Sequence, residues 1–358
     1  MKRHGINLIY ILFLLFSIMI TSHADDNDAF EGKNRSETSS KGVIVVANRG
    51  SGSISVISAR TDQVIATHIL PSANNFPEPM YVVHSAKAKR VFVGDRANNR
   101  VVVYDDEEFE VEGIVDAGNG VFHMWADPGD NQLWVNNDID KTTTVIDPIF
   151  LEVINTVPMP SDLVNLGGKP HDVILDPSGD FAYVTVVGLP ADGDYVIKYS
   201  TDTFAEVART KVGKDPHVSL TRRNKLLYVP CQNSDAVFVL KRADLSLKTI
   251  ITVPGTHGAG MPRNGKTFYT TNLPDGGVNG LFAIDTKQNE VLGDAVNTPF
   301  AVPHNLALTL NGRKLYVTHS GSTADKVTVY RINKKTRQPV FKNEISVGIN
   351  PFGVAFVR

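Results

Sequence analysis

The chain has a single cysteine, Cys231. No internal disulfide can form, so the fold must stand on a hydrophobic core. The sequence lacks Gly-x-Ser-x-Gly, a Gly-rich phosphate loop, His-Glu-x-x-His and Cys-x-x-Cys-His. Those absences remove the nucleophile elbow, the P-loop, the helical zinc protease and a covalently attached haem. It also lacks an excess of either charge, with 36 Lys and Arg against 38 Asp and Glu. Neither nucleic acid nor an anionic membrane has an electrostatic reason to bind it. Beyond the first residues no convincing amphipathic helix can be found.

What is present begins with Lys2 and Arg3, then an apolar run from Ile6 to Thr21, then Ser22-His23-Ala24. A basic start, an apolar stretch and small residues at the end read as a secretory signal peptide over 1–24. The run is shorter than the roughly 20 residues a spanning helix needs. Export to the periplasm or the medium is therefore expected, with no transmembrane segment left after cleavage; the alternative is an uncleaved membrane anchor. Residues 25–41 are polar and read as a disordered leader. Residues 42–358 form the folded region.

One pattern recurs through that region: a hydrophobic strand ending in small polar residues. It reads Val45-Val46-Ala47-Asn48, Phe92-Val93-Gly94-Asp95, Trp134-Val135-Asn136-Asn137 and Tyr183-Val184-Thr185-Val186. It continues as Tyr228-Val229-Pro230-Cys231, Tyr269-Thr270-Thr271-Asn272 and Tyr316-Val317-Thr318-His319. The seven copies are spaced 47, 42, 49, 45, 41 and 47 residues apart, the period of four-stranded propeller blades. Short alternating strands between Gly, Asn, Asp and Pro turns complete an all-β signature. The first copy has no inner strand before it, and an unpartnered one, Asn350 to Val357, follows the last. The sequence predicts a seven-bladed β-propeller of four-stranded antiparallel blades, closed by the C-terminal strand completing the first blade.

Tyr183-Val184-Thr185 and Tyr316-Val317-Thr318 give the chain a resemblance to the propellers named for the Tyr-Val-Thr-Asn (YVTN) repeat. That resemblance implies the fold over the whole folded region. It implies little about activity, because such propellers serve as surface proteins, binding proteins and redox enzymes.

Histidine recurs at the start of five consecutive inner strands: His123, His171, His217, His257 and His304. Met80 and Phe352 stand at the corresponding place in the other two blades. Innermost strands line a propeller's axis, so these side chains are expected around one mouth of the channel. The motif strands run back to the same mouth and are expected to add Asp95, Cys231, Asn272 and His319. Neutral imidazoles suit copper, zinc, iron or nickel, whereas calcium prefers oxygen. The scarcity of carboxylates there argues against a calcium-dependent lactonase propeller. Copper leads, because nitrogen sites hold Cu(II) tightly and Met80 and Cys231 could hold its reduced form. The ring is also similar to the channel-mouth histidines of nitrous oxide reductase and of the d1-haem propellers, which implies a metal tetrapyrrole as the alternative cofactor. The role is then redox chemistry, metal carriage or cofactor assembly, with a small ligand or redox partner at the mouth. The competing expectation is a cell-envelope binding or scaffold propeller without metal, in which the histidines are inherited repeat residues. The residues leave open whether the chain is an enzyme.

Overall fold

Continuous apolar runs such as Val101-Val102-Val103 belong to strands covered on both faces, and alternating runs to strands with one wet face. The computed structural model describes residues 42–190, 193–220, 225–273 and 280–358. The expected signal peptide and leader lie outside the described residues. So do residues 274–279.

The described residues fold into seven four-stranded antiparallel sheets. In the second blade the order from the axis outward is Pro79–Ser85, Arg90–Asp95, Arg100–Asp105 and Val111–Asp116. The motif strand is always second. The first blade is made from both ends of the folded region. Pro351–Val357 pairs with Val43–Asn48, and Ser53–Ser58 and Gln63–Ile69 follow outward. The closure expected from the sequence is therefore present. One five-residue helix, Ser161–Asn165, interrupts the connection into the fourth blade; it is too short to leave a periodic trace. Among the described residues no helix is long and apolar enough to cross a membrane.

The apolar core lies between blades. Trp134 and Val145 of the third blade pack with Val173, Val184 and Ile197 of the fourth in one cluster. Ile44, Val46 and Ile57 of the first pack with Tyr316, Val327 and Val329 of the seventh in another. Each such side chain, fully buried, contributes roughly 1.5–3 kcal/mol.

The recurring motif explains how the blades lock. Its leading tyrosine is buried and sends its hydroxyl into the next blade: Tyr183 donates to the Arg242 carbonyl at 3.2 Å and Tyr269 to the Arg337 carbonyl at 2.8 Å. Tyr316 donates to Asp62, which joins the seventh blade to the first. Lys314 and Lys342 converge on the same carboxylate. Burial works against charge on Asp62, but these three partners outweigh it and hold the group below its ordinary value.

In three blades the third motif position ties the strand to the inner strand of the next blade. Thr271 and Thr318 donate to the carbonyls of His304 and Phe352, each at 2.8 Å. Asn136 does the same to the His171 carbonyl at 2.9 Å. The residues at the channel mouth are thus anchored by the fold's own repeat.

Candidate metal centre at the channel mouth

Strand pairing defines which mouth residues are equivalent. Pro79, Val121, Pro170, Pro216, Thr256, Pro303 and Pro351 each pair with the last residue of the motif in their own blade: Asp95, Asn137, Val186, Cys231, Asn272, His319 and Asn48 respectively. The next residue in each blade forms the ring: Met80, Phe122, His171, His217, His257, His304 and Phe352. The ring therefore holds four histidines, in consecutive blades, and three apolar side chains.

His123 does not belong to it. Val121 takes the slot that proline fills in most blades, so Phe122 occupies the ring position and His123 lies one residue further in. A bulge follows the paired residue in this blade and in five others, and the extra residue turns the next side chain into a second tier. There His123 Nδ1 accepts the Val173 N–H at 3.1 Å. Its ring packs 4.5 Å from Tyr81, centroid to centroid.

The four ring histidines touch in sequence. Centroids are 4.7 Å apart for His171 and His217, 3.7 Å for His217 and His257, and 4.7 Å for His257 and His304. Phe352 follows His304 at 4.0 Å. Of the four, His171 and His217 are joined by a carboxylate: ligand atoms of His171, Asp215 and His217 lie within 4.8 Å of one another. Asp215 sits two residues before His217, at φ 56° and ahead of a proline. That conformation is unfavourable for a residue with a side chain. Asp194 holds it, accepting the Asp215 N–H at 2.9 Å.

The outer nitrogens are already assigned by neighbours. His217 Nδ1 faces Asp172 Oδ2 at 3.3 Å, and His171 Nδ1 faces the Pro216 carbonyl at 3.5 Å. His217 Nε2 is buried with no hydrogen-bond partner among the described residues, as is His257 Nδ1. A histidine that hands one N–H to a carboxylate or carbonyl and keeps the other nitrogen free is arranged as metal ligands are.

The electrostatics agree. Burial, and then the neighbouring His217, lower the pKa of His171 and push His304 down to about 3. The same two causes hold His257 well below its ordinary value. These rings are neutral at pH 7 and keep a lone pair. Burial pulls His217 down as well, but the charge of Asp172 and its hydrogen bond prevail and raise it. Asp172 in turn lies well below the usual carboxylate range, because His123 and His217 outweigh its burial.

The remaining residues expected at the mouth are spent elsewhere. His319 uses both nitrogens, on the Ala301 carbonyl at 3.0 Å and on Thr328 Oγ1 at 2.8 Å. Asp95 accepts from the Glu78 N–H, Asn98 and Arg100 within its own blade. Asn272 donates to the Pro254 carbonyl at 2.6 Å. Cys231 is fully buried, its thiol turned to the Val229 carbonyl, and burial pushes its pKa up. All four end a motif strand, where the side chain turns back to fasten its own blade. Met80 is the one of these that lines the mouth. Above the ring lies a cavity of about 490 Å³ whose walls include His171, Asp215, Met80, Phe122, Arg49, Arg96, Lys169 and Lys214.

Asp172 and Asp215 were not singled out by the sequence pattern. Asp215 carried a usable signal, since it stands beside Pro216-His217 at the place where other blades have Gly120, Gly255, Val302 and Asn350, all at positive φ. A carboxylate in a slot suited to glycine is a sign of a site.

Residues 31–249 match the model of the seven-bladed β-propeller lactonases. The chain belongs to that family. No curated protein matches this lactonase propeller in sequence. Among solved structures it is similar to the hydrazine synthase of Kuenenia stuttgartiensis, at 18% identity and TM-score 0.65 over 77% of this chain and 89% of that one. It is similar to the periplasmic gluconolactonase PpgL of Pseudomonas aeruginosa, at 16% identity and TM-score 0.68 over 88% and 99%. A protein from Lactobacillus plantarum aligns at 15% identity and TM-score 0.70 over the same shares. At such identities these likenesses show the fold alone.

Proposed function

We propose that this lactonase propeller is an exported protein that binds one divalent transition-metal ion through His171, Asp215 and His217. The observation that carries the reading is the convergence of these three side chains, with Asp172 behind His217 and a buried, unpartnered Nε2 in front of it. Two imidazoles and one carboxylate on a single side leave coordination positions open towards the cavity, an arrangement suited to zinc, iron or Cu(II). Copper keeps its place by affinity order alone, because Cys231 is turned away and cannot serve the reduced ion. The basic and apolar start of the chain supports export, and the Pseudomonas gluconolactonase is itself described as periplasmic.

Calorimetric titration of the purified protein with Zn(II) and with Cu(II) tests the reading. One ion per chain is expected for the natural sequence and none for the pair His171→Ala and His217→Ala. Asp172→Asn should keep the stoichiometry and weaken affinity by about 10–100-fold, the usual effect of removing such a partner. Absence of stoichiometric uptake returns the ring to a scaffold role. A Soret band in protein from its native compartment replaces the ion with a metal tetrapyrrole.

Family membership favours a second reading, hydrolytic opening of a lactone at the same mouth. An ion with open positions would supply polarisation of a carbonyl there. Hydrolysis of glucono-δ-lactone, compared between the natural protein and His217→Ala, separates a hydrolase from a carrier.

A further inference from the structure

The apolar side of the ring, which meets the metal ligands where Phe122 stacks on His171 at 5.0 Å, is built differently. Arg49 lies over the Phe352 ring at 5.4 Å and Arg96 over the Phe122 ring at 5.7 Å. Phe352 and Phe122 are ring residues, so two guanidiniums are planted on the apolar side of the ring and both line the cavity. Stacking on an aromatic face fixes the plane of a guanidinium and leaves its edge for hydrogen bonding.

Those edges are not saturated. Arg49 directs Nε and Nη2 to one oxygen of Glu78. Arg96 reaches the Gly120 carbonyl with Nη1 and Asp138 with Nη2. Asp138 is shared, since Lys169 also approaches it at 3.6 Å. Around the cavity four cations, Arg49, Arg96, Lys169 and Lys214, face the carboxylates of Asp138 and Asp194 beside Asp215. A divalent ion at His171, Asp215 and His217 would leave this space with surplus positive charge.

We infer that the mouth recognises a small oxyanion, a carboxylate in the first instance, held between the edges of Arg49 and Arg96 and directed towards the open side of the metal site. The inference rests on the proposed metal centre for its direction but on the arginines for its affinity. The ligand is of a size that a cavity of about 490 Å³ admits. Each charge-assisted bidentate contact supplies specificity for a planar anion that a lysine cannot match.

Succinate, with neutral succinamide as its control, is the probe. Calorimetry on the zinc-loaded protein should show succinate binding and no succinamide binding. Arg49→Gln with Arg96→Gln should weaken succinate by about tenfold or more, as expected for loss of charge-assisted bonds, while zinc stoichiometry is kept. Arg49→Lys with Arg96→Lys, which keeps the charge and removes the fork, should fall between. Equal affinity in all three proteins, or equal binding of succinamide, overturns the inference. The zinc titration is run first and without anion. If it fails, the metal reading fails by itself, and succinate is then titrated into the metal-free protein, where arginine-dependent binding still upholds the clamp and its absence overturns it.

Discussion

At the scale of single residues, most imidazoles at the channel mouth, and His319 beside it, are kept from protonation by burial. His304 is pushed down to about 3 and His319 to about 4, against an ordinary value of 6.5. Burial is the leading cause for both, and it penalises the charged form. The consequence for stability has a definite sign. Between the folded and unfolded values the unfolded chain binds the extra proton, so stability is fully present above pH 6.5 and drains away as pH falls towards 4. Each such histidine contributes about 1.4 kcal/mol per pH unit across that window. His217 has the opposite sign, since its raised value loses stabilisation as pH rises, but it is one group against several. Urea denaturation of the metal-free protein should show stability falling steadily from pH 6.5 to 4.5. His319→Asn should make that slope shallower by about one histidine's share, about 1.4 kcal/mol per pH unit. A flat profile would show that these rings are hydrated in the folded state.

At the scale of strands, the sequence showed the period and concealed the bulge. The seven copies of the motif fix the number of blades and the place of each strand, because burial on both faces writes itself as apolar runs. In six of the seven blades the register of the mouth is set by one inserted residue after the paired position, and that insertion leaves no composition signal. His123 therefore looked equivalent to His171 and is not. Asp172 was invisible for the same reason: beside His171 in the chain, it lies in the second tier and serves the next blade's histidine. The tight approach of inner strands gives a test. A Cβ on Gly258 would stand 2.2 Å from the His304 carbonyl and 2.8 Å from Thr271 Oγ1, the bond that anchors the ring. Backbone cannot yield as a flexible side chain can. Gly258→Ala should lower stability by about 1–3 kcal/mol, the usual cost of overpacking. It should also broaden or shift the imidazole resonances of His257 and His304. A variant as stable as the parent would show that the seventh blade's inner strand can slide.

At the scale of the whole molecule, the ring is held shut by strand pairing and not by a covalent bond. Removing 351–358 deletes the inner strand of the first blade and strips cover from Ile44 and Val46, which are fully buried. The truncated chain should aggregate or unfold at markedly lower temperature, and a monomer with an unchanged melting temperature would contradict closure by this strand. The position of the joint also matters for the site. In a circle of seven, the first blade lies opposite the fourth and fifth. The joint carries Arg49 and Phe352, while His171, Asp215 and His217 come from the far side. Of the two arginines only Arg49 belongs to the joint, where its N–H is held by the Asn350 carbonyl, so a change at the seam acts on that guanidinium directly. Loosening the closing strand is therefore expected to weaken the proposed anion contact at Arg49 while leaving the proposed metal ligands, which lie across the circle, in place.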